Sequence, residues 1–147
     1  MLDYDDPEVE AQWFVDRRKD VEDYLSREGV AHGQVGEVPA WSVAPYVSIW
    51  AIESLKSPGS VGWWAISGDL PNDYVSSKGI NNPRDAMRAI ATLWQEASEH
   101  MLRGEKHPTF SIGAEDSDEE LGPLLASRAE TLLGWADDPE AWEDDDL

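Results

Sequence analysis

Two runs of strand length, Tyr46–Glu53 and Val61–Ser67, flank the turn signal Ser57-Pro58-Gly59-Ser60. Both are dense in Val, Ile, Tyr and Trp, residue types that suit a pleated, half-buried surface, and the Pro-Gly between them breaks the extended chain. This predicts a central β-hairpin. Pairing counted outward from a turn centred on Ser57 sets Trp50 against Trp64, Ile52 against Gly62 and Ile49 against Ala65. A slip of one residue would separate the two tryptophans.

The flanking sequence supplies helices. Asp6 caps and Pro7 suits a first helical position, and Gly29 suits the residue past the end, so a helix is expected over about 7–28. Its apolar stripe is Val9, Trp13, Phe14, Val21, Tyr24 and Leu25, with Arg17 in the middle. Val30 to Val38 reads as a connector in which His32 is a surface residue, and Ala40–Val43 as a short edge strand before Pro45. From Gly68 to Asp73 a loop is expected, leading into a short strand at Tyr74–Ser76. Asn82 and Pro83 open a helix over about 83–103, with Met87, Ile90, Ala91, Trp94, Ala97, Ser98 and Met101 on one stripe. Glu96 and His100 lie on its opposite face without a third ligand, which reads as helix surface. A short extended piece is expected at His107–Gly113, with Phe110 and Ile112 on one side. Ser117 and Glu120 have capping-box spacing, and the regular part of a third helix spans about 123–136 after one preceding turn. Its stripe is Leu121, Leu124, Leu125, Leu132 and Trp135, with Arg128 in the middle.

Together these elements make an α+β fold: a small antiparallel sheet built on the hairpin, with three helices packed mainly on one face. Residues 1–138 are expected to form a single globular domain and 139–147 an acidic tail that Trp142 is able to pin. With one sheet face covered, Trp41, Trp50, Trp63, Trp64 and Tyr74 are candidates for an aromatic surface on the other, a face that would suit a partner or a homodimer.

Three carboxylates, Glu53, Asp69 and Asp73, adjoin the aromatic core in sequence. An acid/base pair at Asp69 and Asp73 is one reading, and bonding of loop amides is the other. For Arg17 and Arg128 the alternatives are a snorkelling side chain or burial against a carboxylate, and a salt-bridge network from the helices to the three acids follows from the second.

Charge is the strongest global signal. The 147 residues hold 31 acidic and 11 basic side chains, a formal net charge of −20. From Met1 to Asp16 there are six acids and no base, and from Ala114 to Leu147 thirteen acids against Arg128 alone. Such a field repels nucleic acid and anionic membranes and accelerates encounter with a basic partner. The absence of cysteine excludes disulfides, thiolate metal sites and a cysteine nucleophile. The N-terminal sequence lacks the pattern of a secretory signal, and no window approaches a membrane span, so a cytoplasmic protein is expected. No cofactor or metal is implied.

The segments PAWSVAPYVSIWAIES, VGWWAISGDLPNDYVS and NPRDAMRAIATLWQEASE resemble the DUF4826 family of small bacterial proteins of unknown function. The Gly62-Trp63-Trp64 pair followed by Gly68-Asp69-Leu70-Pro71-x-Asp73-Tyr74 is the distinctive part. The resemblance implies bacterial origin and one compact domain; it implies no catalytic residues.

The favoured expectation is a non-enzymatic acidic protein that neutralises a basic protein partner, as a toxin-immunity protein or inhibitor does. The alternatives are a ligand-binding or hydrolytic domain using Asp69 and Asp73, and a housekeeping role. The chain shows no Ser/His/Asp spacing, phosphate loop or His/Glu cluster to favour an enzyme.

Overall fold

The structure, a computed structural model, describes residues 3–102 and 118–142. Its elements are α1 (Pro7–Arg27), β1 (Trp41–Val43), β2 (Val47–Glu53), β3 (Val61–Gly68), β4 (Leu70–Ser76), α2 (Pro83–Leu102) and α3 (Asp118–Ala136), followed by a 3-10 turn at Pro139–Trp142. The class is α+β, as expected, with four antiparallel strands in the order β1-β2-β3-β4. The chain divides into two units, Met1–Ala86 and Met87–Leu147.

In the first unit, the Asp6 carboxylate accepts the Glu8 N–H at 2.9 Å and Pro7 takes the first helical position, where no backbone donor is needed. The helix closes in a Schellman motif: Gly29, at φ 71°, donates to the Ser26 carbonyl at 3.1 Å and Val30 to that of Leu25 at 3.0 Å. Val21 and Leu25 form a core cluster with Val35, Trp50, Ile52 and Ala65, and Phe14, Tyr24, Val30, Trp63 and Tyr74 pack around it. Helix α1 therefore covers the sheet face that carries Trp50 and Ile52.

The hairpin forms, but its register differs from the expected one. Glu53 pairs with Val61, as counting from Ser57 requires; the next pair is Ile52 with Trp63, followed by Ala51 with Trp64, Trp50 with Ala65 and Ile49 with Ile66. Gly62 is an extra residue, a β-bulge on β3. The Trp50–Trp64, Ile52–Gly62 and Ile49–Ala65 pairs are not made. Since side chains alternate along a strand, Trp50 and Trp63 share the α1 face while Trp64 points to the other. Glycine is required at the bulge by close approach: a Cβ there would lie 2.9 Å from both Cα and Cβ of Ser54.

The neighbouring strands follow from local chemistry. Strands β1 and β2 join through a cis Ala44–Pro45 peptide, with the Tyr46 N–H donating to the Val43 carbonyl at 2.7 Å. The loop expected from Gly68 to Asp73 is instead a tight turn at Asp69, because β4 begins at Leu70, opposite Gly68. Pro71 is compatible with this strand because β4 is a sheet edge. On the α1 face, the Trp50 indole N–H donates to the Ser48 hydroxyl at 2.8 Å, which donates to the Ser67 carbonyl at 2.8 Å. All three residues are buried, so the relay removes the cost of an unpaired indole N–H and hydroxyl in the core.

The Asn82 side chain accepts the Asp85 N–H at 2.8 Å and caps α2 as expected. In the second unit, α2 buries Met87, Ile90, Ala91, Trp94, Ala97 and Ser98, the anticipated face. Helix α3 extends one turn ahead of Pro123. Its buried hydrophobic side chains include Leu125, Ala129, Leu132 and Ala136, whereas Leu124 is 38% exposed. Two alanines, weak in a hydrophobicity reading, thus carry the stripe to the side of Leu124 and Arg128. Arg88 donates to the Ala136 carbonyl at 3.1 Å and to Asp137 at 3.2 Å, satisfying the end of α3. Trp142 is buried and donates from its indole to the Trp135 carbonyl at 2.9 Å. The expected extended piece at His107–Gly113 and the Ser117 cap lie outside the described residues.

Replacing Gly62 with alanine forces the bulge away from Ser54. Urea denaturation is expected to show a loss of about 1–3 kcal/mol, the usual range for overpacking. A neutral result would mean that the bulge is not held in this register.

Candidate functional site

Glu53 turns out to be a clasp. Its carboxylate accepts the Gln34 N–H at 3.1 Å and the Gly59 N–H at 2.9 Å. Its backbone N–H donates to the Gln34 carbonyl at 2.9 Å, and its carbonyl accepts the Gly33 N–H at 2.9 Å. One residue thus ties the connector, the end of β2 and the hairpin loop together. The Gln34 amide first, then that of Gly59, hold the carboxyl below its ordinary range.

Asp69 and Asp73 occupy unlike settings. Asp69 is exposed in the β3–β4 turn, with its backbone N–H on the Tyr46 carbonyl at 2.9 Å. Asp73 is only 8% exposed, and its carboxylate accepts the Tyr74 N–H at 2.8 Å. Nearby, the Tyr24 and Tyr74 rings meet edge to face with centroids 6.0 Å apart. Burial first, then the Asp73 carboxylate, push the Tyr24 phenol upward; burial, then Glu28 and Asp73, do the same to Tyr74. Both phenols stay protonated at neutral pH, which disqualifies them as bases there.

Arg17 snorkels. Its guanidinium lies 5.9 Å from the Trp13 ring centroid and 3.0 Å from Asp20 on the same helix, with the side chain 26% exposed. The expected network therefore fails at two of its members: Arg17 pairs within α1, and Glu53 receives backbone amides. The helix-to-connector tie comes instead from Arg18, which donates to the carbonyls of Gly36 and Val35, each at 2.9 Å. Sequence periodicity passes over Arg18 because it lies outside the apolar stripe. The available signal is the connector itself, an irregular stretch whose backbone carbonyls each require a donor. Arg128 is half-buried, next to buried Leu125 and Ala129. His32 bonds locally, its ring nitrogen 2.7 Å from the Gly33 carbonyl.

The anticipated aromatic surface is not presented. Trp41, Trp50 and Trp64 are buried, and Trp63 and Tyr74 are half-buried against the core cluster. The bulge divides the tryptophans between the two faces, and both faces carry buried side chains: Trp50 and Ile52 on one, Ile49 and Ile66 on the other.

Concave surface lies along α1. A cleft of about 340 Å³ at its first three turns has Tyr4, Val9 and Trp13 as apolar lining and Asp6, Glu8, Gln12 and Asp16 as polar lining. A second, of about 520 Å³, is lined by Asp20, Asp23, Ser26, Arg27 and Asn72. The first joins apolar surface to three carboxylates, and no lysine or arginine lines it, the Arg17 guanidinium standing 5.9 Å from the Trp13 ring centroid and paired with Asp20; the combination suits a cationic group. Sequence reasoning assigned Trp13 and Val9 to the core and missed the cleft, because Tyr4 and Asp6 precede the helix and fall outside its periodicity. Among the described residues no group of three or more His, Asp or Glu is placed to hold a metal ion. No helix among them is long and apolar enough to cross a membrane.

A family model described as a domain of unknown function, DUF4826, matches residues 8–142. No curated protein and no solved structure matches the chain.

The two neighbouring arginines should behave differently. Arg17→Met, which keeps the stem over Trp13 and removes a partly exposed pair within one helix, is expected to cost less than about 1 kcal/mol in urea denaturation. Arg18→Met strips two carbonyls of their donor and should cost about 1–2 kcal/mol; the reverse order would contradict the assigned tie. Glu53 gives a pH signature. Its folded pKa is depressed, so its stabilisation is full above the unfolded carboxyl value and is lost as pH falls through the folded one. Denaturation midpoints of Glu53→Gln between about pH 6 and pH 2 should fall less steeply than those of the wild type. Parallel curves would remove the clasp.

Proposed function

The chain belongs to the DUF4826 family, and from its own residues we propose that it is a non-enzymatic acidic binding protein that neutralises a basic protein partner, in the manner of an immunity protein or an inhibitor. The observation that carries this reading is the placement of charge on an apolar-lined cleft. The six acids and no base between Met1 and Asp16 include the three carboxylates that line the cavity beside Tyr4, Val9 and Trp13. The opposite end of the sequence, from Ala114, is as one-sided.

A surface of this kind works in two stages. The field of a chain at −20 raises the encounter rate with a cationic partner and disfavours nucleic acid and anionic lipid. Apolar contact in the cleft then slows departure, since the centre of an interface supplies affinity while its charged rim supplies speed and salt sensitivity. The reading supposes a bacterial, cytoplasmic protein without a cofactor. A catalytic pair at Asp69 and Asp73 is served less well, because one is exposed in a turn and the other is buried on a backbone amide of its own strand.

Pull-down of the tagged protein from its native lysate at low salt, followed by stepwise salt elution and mass spectrometry, tests the proposal. The expected outcome is one stoichiometric basic protein released as salt rises. Tight, salt-insensitive complexes with non-basic proteins alone would overturn it.

A further inference from the structure

Resting on the reading of the protein as a binder of a basic partner, we propose that the cleft at the first three turns of α1 receives an arginine-bearing segment of that partner. Further along α1 two carboxylates are matched, Asp20 at 3.0 Å from Arg17 and Glu22 at 3.4 Å from Arg18, and Arg27 lines the second cleft. No lysine or arginine lines the N-terminal one. One Asp6 oxygen holds the Glu8 N–H at 2.9 Å and one Asp16 oxygen holds the Gln12 amide at 3.0 Å. The second oxygen of each, together with the Glu8 carboxylate, is left to meet an incoming donor. The positive end of the helix dipole, worth about half a charge, is outweighed by three carboxylates.

The lining also selects among cations. The acids are not grouped to hold a metal ion, so the charge they attract has to be spread over a larger group. Tyr4 and Val9, half-buried, offer aromatic and apolar surface, to which Trp13, only 7% exposed, adds little. A guanidinium fits both demands, being planar, weakly hydrated, able to pack on aromatic rings and able to donate to more than one carboxylate at once. An ammonium would keep its hydration shell and use the acids alone.

The test is a fluorescence-anisotropy titration at low salt with a short labelled peptide carrying arginines, beside the same peptide with citrulline in their place. Glu8→Gln/Asp16→Asn removes two cleft charges and keeps the Asp6 cap; Asp144→Asn/Asp145→Asn removes two charges from the other acidic end. Thermal melts of both doubles exclude unfolding as the cause of any loss. The expected result is binding of the arginine peptide that weakens about tenfold in the cleft double and less than about twofold in the other. Equal loss in both doubles, equal binding of the citrulline peptide, or no binding to the wild type would overturn the proposal. Competition by calcium at equal ionic strength would do the same and point to a metal ion instead. If the lysate experiment yields a basic partner whose affinity is untouched by the cleft double, the cleft falls and the neutralising role stands. If the peptide binds as expected while the lysate yields only non-basic partners, the neutralising role falls.

Discussion

The bulge at Gly62 is the constraint on which the first unit depends. One residue inserted between the Glu53–Val61 and Ile52–Trp63 pairs decides which side chains of β3 face α1. With it, Trp63 and Ala65 join Trp50 and Ile52 under the helix, and Trp64 turns to the opposite face, where its indole donates to the Ile80 carbonyl at 3.2 Å. Without it, every inward residue of β3 would become an outward one. The bulge is held from both sides. Ser54 approaches too closely for any Cβ at Gly62, and the Ser77 N–H takes the Gly62 carbonyl at 2.9 Å. Glu53, next to it, fixes the strand end to Gln34 and Gly59.

What the sequence disclosed and what it concealed divide along the range of the forces involved. Asp6, Pro7 and Gly29 mark the ends of α1, and Asn82 marks the start of α2, because caps are satisfied within a few residues. The stripe of α2 was legible for the same reason. The register was not, since counting from Ser57 is correct only up to the first pair and the contact that demands a glycine is made by Ser54 across the loop. Edge strand β4 was misjudged because Pro71, Asn72 and Asp73 all read as turn formers, although an edge tolerates a proline. Arg18 was passed over because it lies off the apolar stripe and its partners are backbone carbonyls of the connector. Of the candidate site, the acidic bias of the N-terminal residues could be read directly, whereas the cleft that gives it shape depends on Tyr4 lying beside a helix that its own position does not predict.

Charge along α1 is used in two ways. Along the middle of the helix, acids and bases alternate at helical spacing and neutralise one another locally, as in Arg17 with Asp20 and Arg18 with Glu22. Ahead of Arg17 the sequence has acids alone. Local pairing contributes little to stability at exposed positions, so its main consequence is directional: it leaves the negative field of the helix concentrated at one end.

The strand order has a consequence for life at high concentration. Neither edge of the sheet is a good template for a further strand. Strand β1 is three residues long, and β4 has as its second residue a proline, which lacks an N–H, and carries Asp73 within it. The two long, aromatic strands that would seed fibrillar stacking are shut between them. Copies of this chain also repel one another at −20. A hairpin with the composition of an amyloid-forming segment is thereby carried in a form that resists self-templating.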